Sequence, residues 1–296
     1  MVPVAWASSP KEARNKLDQM KIPYSKNSFV KMCREGNKES VMLFLEAGMD
    51  PNTEDTKGET ALIVATKAGR KEVVNYLIEK GADIEGKDKK SKATPLIWAA
   101  LKGQLDIVQL LLDKGADIQA AEKTNGMQAL HAAAFAGHPD VVKAILKKGA
   151  SVDSRDREGR TPLIWAARGG RLDTIKLLLD RGADIKAAEM ERGMNAFLTA
   201  AMMGKDETLG LLLARGSDIQ SRDKYGLTGL MWAAQYGRVD TVKFLLDRGA
   251  DVKAKDNQGN AVITWAKRSK VKDPKAAEEK KKELEAILTK AEAAVK

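Results

Sequence analysis

The sequence predicts an all-α solenoid of about eight helix–turn–helix units, caps included, on three observations. A Gly-Ala or Gly-Ser pair closes a unit at Gly81, Gly115, Gly149, Gly182, Gly216 and Gly249, at successive spacings of 34, 34, 33, 34 and 33 residues. A unit of that length cannot bury its own apolar face, so copies have to stack side by side around a continuous core. Helix starts recur at Thr94-Pro95 and Thr161-Pro162, where the Thr caps free amides and the Pro fits a first turn that needs no N–H. Downstream, Ile175, Leu178 and Leu179 repeat at three and four residues, an apolar stripe for the next unit, and Gly182 ends that helix.

In chain order, residues 1–26 are a leader and an N-terminal capping helix. Ser9-Pro10-Lys11-Glu12 is a helix start with Glu at the third helical position, and Ala13, Leu17 and Met20 give it a short apolar face. Residues 27–273 are the repeats. The first, 27–52, is degenerate: Gly36 and Gly48-Met49-Asp50 keep the spacing, but Lys31 and Arg34 stand where other units are apolar or small, as suits an end cap. Seven units then begin near Asp55, Asp88, Glu122, Asp156, Glu189, Asp223 and Asp256, and the last leaves the pattern after Ser269. Asp156 and Asp223, with Gly159 and Gly226 three residues on, mark tight turns. Residues 274–296 are a C-terminal capping helix with Leu284, Ile287, Leu288 and Ala291 on one face and Lys/Glu opposite. A helix that binds a partner has the same pattern.

The units resemble the ankyrin repeat, a β-turn and two antiparallel helices with the signature T-P-L-H-x-A. Thr94-Pro95-Leu96-Ile97-Trp98-Ala99-Ala100 and Thr161-Pro162-Leu163-Ile164-Trp165-Ala166-Ala167 carry it almost literally, followed by Leu110-Leu111-Leu112 and Leu177-Leu178-Leu179 and then Gly-Ala-Asp. The resemblance implies an ankyrin-repeat solenoid that is not an enzyme and that grips protein partners with a concave side made of first helices and projecting turns. It also places His131 at the motif's histidine, which in this family ties neighbouring turns together.

Composition bounds the function. The hydrophobic share is 43%, and no apolar run reaches the roughly 18 residues of a membrane helix. Ala5-Trp6-Ala7 has the small residues of a signal-peptidase site, so the chain is expected to be periplasmic or exported if that segment is a signal remnant, and otherwise cytoplasmic. Cys33 falls where other units place an Ala and is read as a small buried side chain. The net charge of +10 admits nucleic acid or an anionic envelope surface as an alternative partner, although the basic residues are interleaved with acids in nearly every unit. The run Lys87, Lys89, Lys90 and Lys92 is a solvated loop or a steering patch for an acidic partner.

No phosphate-binding loop, zinc motif or nucleophile elbow occurs, and neither His131 nor His138 has a second or third group placed by spacing. No catalytic residue, metal site or cofactor is expected. The units differ instead in one column: the residue after the motif's histidine reads Val64, Trp98, Ala132, Trp165, Thr199, Trp232 and Trp265. From Trp98 to Trp232 a Trp alternates with a small residue, and Ala120-Ala121-Glu122 and Ala187-Ala188-Glu189 share wording 67 residues apart, so the true period is a pair of units.

Carried over by position, the concave side would present Lys67, Leu101, Lys102, Phe135, Arg168, Met202, Met203, Gln235 and Tyr236 at first-helix ends, and Tyr225, Met190 and Met194 on turns. The repeat tryptophans fit packing between first helices or partner contact. Phe135, Met202, Met203 and Tyr236 are of types enriched at interfaces. The expected partner-binding set is Trp98, Lys102, Phe135, Trp165, Arg168, Met202, Met203, Tyr225, Trp232 and Tyr236. The expected function is a non-catalytic protein-interaction module, monomeric when free. The chain further resembles exported bacterial ankyrin proteins that inhibit enzymes, among them a periplasmic self-protection type that blocks peptidoglycan-cleaving enzymes, which implies an inhibitor or immunity role.

Overall fold

The computed structural model describes residues 9–268 and 270–295, so the Ala5-Trp6-Ala7 segment lies outside the described residues. Among these there are seventeen helices and no strand, only isolated antiparallel bridges such as Arg222 to Thr228 across a turn. The all-α repeat architecture expected from the glycine spacing is therefore present.

The residues gather in two compact units, one built from the chain up to Ala133 together with Asp140–Ala150, the other from Ala134–Pro139 and the chain from Ser151 onward. In chain order the helices are α1 (Pro10–Gln19), α2 (Lys26–Glu35), α3 (Lys38–Glu46), α4 (Ala61–Lys67), α5 (Lys71–Glu79), α6 (Pro95–Leu101), α7 (Leu105–Asp113), α8 (Ala129–Ala136), α9 (Pro139–Lys147), α10 (Pro162–Gly169), α11 (Leu172–Asp180), α12 (Ala196–Met203), α13 (Asp206–Ala214), α14 (Gly229–Gln235), α15 (Val239–Leu246), α16 (Val262–Lys267) and α17 (Pro274–Ala294).

In the first unit the inner helices α2, α4 and α6 pack in sequence, and the outer helices α3, α5 and α7 do the same. Helix α1 opens on the Ser9 hydroxyl, which accepts the Glu12 amide, and lies against α3 with Ala13 and Leu17 fully buried. Met20, expected on that face, is 39% exposed because the helix has already ended at Gln19. Cys33 is buried on α2, and that burial pushes its thiol up to about 12, so it is inert packing.

In the second unit α10, α12, α14 and α16 form the inner row and α11, α13 and α15 the outer row. The long helix α17 covers α15 and α16 with Leu284 and Leu288, while Ile287 and Ala291 are half-buried.

Local chemistry fixes the start of most inner helices. Thr60, Thr94, Thr161 and Thr228 cap α4, α6, α10 and α14 with their hydroxyls, and Asn195 does so for α12. At α8 that position is Gln128, and the buried His131 takes over: its Nδ1 accepts the Gln128 amide at 3.3 Å. The small pairs Ala99-Ala100, Ala166-Ala167, Ala200-Ala201 and Ala233-Ala234 are all buried, which lets inner helices approach closely.

Two devices tie neighbouring repeats together within each unit. The residue that begins an outer helix reaches back to the end of the preceding inner helix: Arg70 Nε donates to the Arg34 carbonyl, Arg171 Nε to Phe135 and Arg238 Nε to Met202. Gly204 shows why glycine stands under such an arginine: its φ is +70°, and a Cβ there would lie 2.9 Å from Arg238 Cδ. The turns are joined by backbone bonds, with the amides of Lys123, Met190, Lys224 and Asn257 donating to the carbonyls of Ser91, Glu158, Arg192 and Tyr225. Arg155 and Arg222 each add a guanidinium that bridges two neighbouring turns.

Candidate functional site

One carboxylate organises each turn. Asp156 Oδ1 accepts the amides of Glu158 and Arg160, and Oδ2 accepts the Trp165 indole N–H at 3.0 Å. The same arrangement recurs with Asp88 and Trp98 at 3.0 Å, Asp223 and Trp232 at 3.2 Å, and Asp256 and Trp265 at 3.1 Å. These buried carboxylates therefore have their lone pairs filled from within the repeat.

Where the Trp column holds a small residue, the turn residue lengthens in the fourth and sixth units. Opposite Ala132 stands Glu122, and opposite Thr199 stands Glu189. Glu189 reaches the amides of Glu191, Arg192 and Met194 with both oxygens, and Glu122 those of Thr124, Asn125 and Met127. The extra methylene brings the carboxylate onto the turn without an indole to meet its second oxygen.

Electrostatics separate these groups. Burial pushes the Asp88 carboxyl up, but the hydroxyl and amide of Ser91, the Trp98 indole and the Ala93 amide outweigh it and hold Asp88 at about 2. Glu122 is likewise lowered, burial being outweighed by the Asn125, Thr124 and Met127 amides. At Asp223 burial prevails over the Leu227 and Tyr225 amides, the Trp232 indole and the Arg192 charge, so that carboxyl is raised.

The alternation shapes a groove in the second unit. Thr199 sits between two tryptophan-bearing repeats, and a cleft of about 280 Å³ opens there, lined by Ile164, Trp165, Thr199, Met202, Trp232 and Tyr236 with a charged margin. Beyond Trp232 a second cleft of about 330 Å³ runs past Tyr225, Leu227 and Trp265, sharing Arg192 and Lys270 with the first. Basic side chains stand over the rings: Arg160 Cζ lies 4.3 Å and Arg168 Cζ 5.7 Å from the Trp165 centroid, Arg192 Cζ 5.7 Å from Trp232, and Lys270 Nζ 5.5 Å from Tyr236.

Of the expected contact residues, Trp165, Arg168, Met202, Trp232 and Tyr236 meet in the first cleft, and Tyr225, 54% exposed, lines the second. Trp165 and Trp232 are largely buried, at 6% and 2% exposure, so they serve packing and the groove at once. Phe135 packs edge-on against Trp165 at 5.6 Å, and Met203 is half-buried outside both clefts. Trp98 and Lys102 belong to the first unit, where Lys67 covers the Trp98 ring at 3.9 Å and Lys102 is exposed. Met194 and Gln235, expected on the presented surface, are buried instead: Met194 is folded into its turn beneath Glu189, and Gln235 lies under the chain that returns at Lys270, whose amide donates to its carbonyl.

The sequence reading missed Arg160, Thr199, Arg192 and Lys270. Arg160 and Arg192 sit at turn positions other than those carried over, and Lys270 lies just past Ser269, where the last unit leaves the pattern. Thr199 had a visible signal, a small residue between two Trp positions.

Comparison with known proteins places this architecture. The family model for ankyrin repeats matches residues 29–122, 118–189 and 186–256. The crystal structure of the ankyrin repeat domain of Bcl-3 is similar over 71% of this chain and 95% of that one, at 27% identity and a TM-score of 0.58. Among curated proteins, 74 residues are 43% identical to mouse 2-5A-dependent ribonuclease and 78 residues are 31% identical to a Drosophila melanogaster G patch domain and ankyrin repeat-containing protein 1 homolog. Those segments are 25% and 26% of this chain and only 10% and 23% of the relatives.

Proposed function

Because the chain belongs to the ankyrin-repeat family, whose repeats are generally protein-interaction modules and typically not catalytic, we propose that it binds a folded protein partner through the groove of its second unit. One observation carries this reading: five residues expected at a partner surface, separated by up to 71 positions, line a single open cleft walled by Trp, Tyr and Met. Such side chains are enriched at protein interfaces and carry most of the energy there. The groove belongs to ordered helices joined by the arginine and turn ties, so binding loses little conformational entropy.

In its sharper form, the partner is a peptidoglycan-cleaving enzyme of the periplasm and the chain its inhibitor or immunity protein. This rests on the resemblance to exported ankyrin inhibitors and on Ala5-Trp6-Ala7. Among the described residues no helix is long and apolar enough to cross a membrane.

Thr199→Trp tests the groove, because it fills the gap between Trp165 and Trp232. Titrated against a purified peptidoglycan-cleaving enzyme, the wild-type chain should suppress release of soluble peptidoglycan fragments at one equivalent, and the Thr199→Trp variant should lose at least about tenfold in potency. An unaffected enzyme would remove the inhibitor form. Equal potency of variant and wild type would remove the groove.

A further inference from the structure

We infer that the groove takes an acidic segment of its protein partner, one in which Asp or Glu side chains alternate with apolar ones. This rests on the groove being the binding surface and adds what it recognises. The acids of the first cleft are largely committed. Glu189 accepts three turn amides, and Glu158 is paired with Arg160 at 2.8 Å, while Arg160 also holds the buried Asp156 at 2.8 Å. Glu191 stands outward, 74% exposed and at the 4.0 Å limit from Arg192, and Glu158 is exposed but held by its arginine partner.

The cations are not committed in the same way. Among the described residues, neither Arg168 nor Lys270 has a carboxylate within 4.0 Å, and both are exposed at the cleft. Arg168, Arg192 and Lys270 rest instead over Trp165, Trp232 and Tyr236. A ring leaves the N–H groups of a guanidinium free to meet a carboxylate in two parallel hydrogen bonds, and the Lys270 ammonium adds a point charge beside them. Ile164 and Met202 supply the apolar floor between these cations.

The same geometry argues against nucleic acid. Base stacking needs open aromatic faces, and each of these rings already carries a basic side chain of the protein.

The test is selection of a random displayed-peptide library on the full-length protein, followed by measurement of the enriched peptides, synthesised with a fluorophore, by anisotropy. The inference expects sequences rich in Asp and Glu with interspersed apolar residues. Binding should weaken at least about tenfold in the folded variant Arg168→Gln, Arg192→Gln, Lys270→Gln, and should weaken as salt rises from 50 to 500 mM. It should be unchanged in Lys87→Gln, Lys90→Gln, which removes the same kind of charge from an exposed loop of the first unit. Neutral or basic peptides that lose affinity in Met202→Ala, Tyr236→Ala but not in the triple Gln variant would overturn the acidic partner and leave the groove standing. No enrichment, or peptides indifferent to both sets of substitutions, would overturn both. A dT20 oligonucleotide that binds more tightly than any selected peptide and is lost in the triple variant would assign the cations to phosphate and overturn the inference.

Discussion

The turn that starts at Asp223 and the turn that starts at Glu189 solve one problem in two ways. Both must satisfy a set of backbone amides that the tight turn leaves without partners. Asp223 takes the amides of Tyr225 and Leu227 on one oxygen, and its other oxygen is met by the Trp232 indole. Glu189 has no indole opposite, because Thr199 occupies that column, and it uses its extra methylene to lay both oxygens on the turn. From the repeat of Asp88 to that of Asp223, a Trp therefore goes with Asp and a small residue with Glu, and over that stretch the pair of repeats is the chemical unit. The difference has a functional side: the repeat that omits the ring leaves the space that becomes the groove.

Removing the ring breaks this comparison most strongly. Trp232→Ala empties a fully buried site and leaves the second oxygen of Asp223 unmet, so unfolding in urea should show a loss of about 3–5 kcal/mol. Trp232→Phe keeps most of the volume and isolates the indole N–H, and should cost about 1–3 kcal/mol. An equal loss in both variants would mean that the hydrogen bond carries the whole effect.

Acid distinguishes two tryptophan-bearing turns. Asp88 is held at about 2 against an ordinary 3.8, so its contribution is complete above about pH 4 and disappears as pH falls through about 2. Its full size is roughly 2 kcal/mol. Asp223 is raised, and the sign reverses: there the folded protein takes up the proton more readily, and stability from that group grows as pH falls from neutral. Urea midpoints measured from pH 5 to 2 should therefore flatten in Asp88→Asn and steepen in Asp223→Asn.

The smallest effect sharpens the carboxylate-length argument. Glu189→Asp shortens the reach in a repeat with no indole to compensate, and should cost about 1 kcal/mol by the same urea measurement. Asp at this position without any cost would show that reach is not what selects Glu.

The helical pairs and their stacking were legible because glycine spacing, Thr-Pro starts and the i, i+3, i+4 stripes are local signals written in each unit. The groove was half legible. Trp165, Arg168, Met202, Trp232 and Tyr236 were reachable by position, since one column of a repeat lands on one surface. Arg192 and Lys270 were not, because what brings each to a ring is contact with an aromatic side chain 34 or 40 residues away in sequence, and Arg160 was not, because its contact with Trp165 depends on how the turn folds back onto its own helix. Nor did the sequence separate packing from presentation for the tryptophans. Burial of Trp165 and Trp232 with half-exposure of Trp98 and Trp265 depends on neighbouring side chains that periodicity does not specify.

The indole hydrogen bonds also make the protein its own optical probe. Four tryptophans share one polar anchor, a carboxylate oxygen at 3.0 to 3.2 Å, but differ in their contact with water. Trp165 and Trp232 line the cleft, with basic groups beside their rings. A guest that draws those groups away alters the field around two fixed chromophores, so occupancy should register as a change in intrinsic emission without any label.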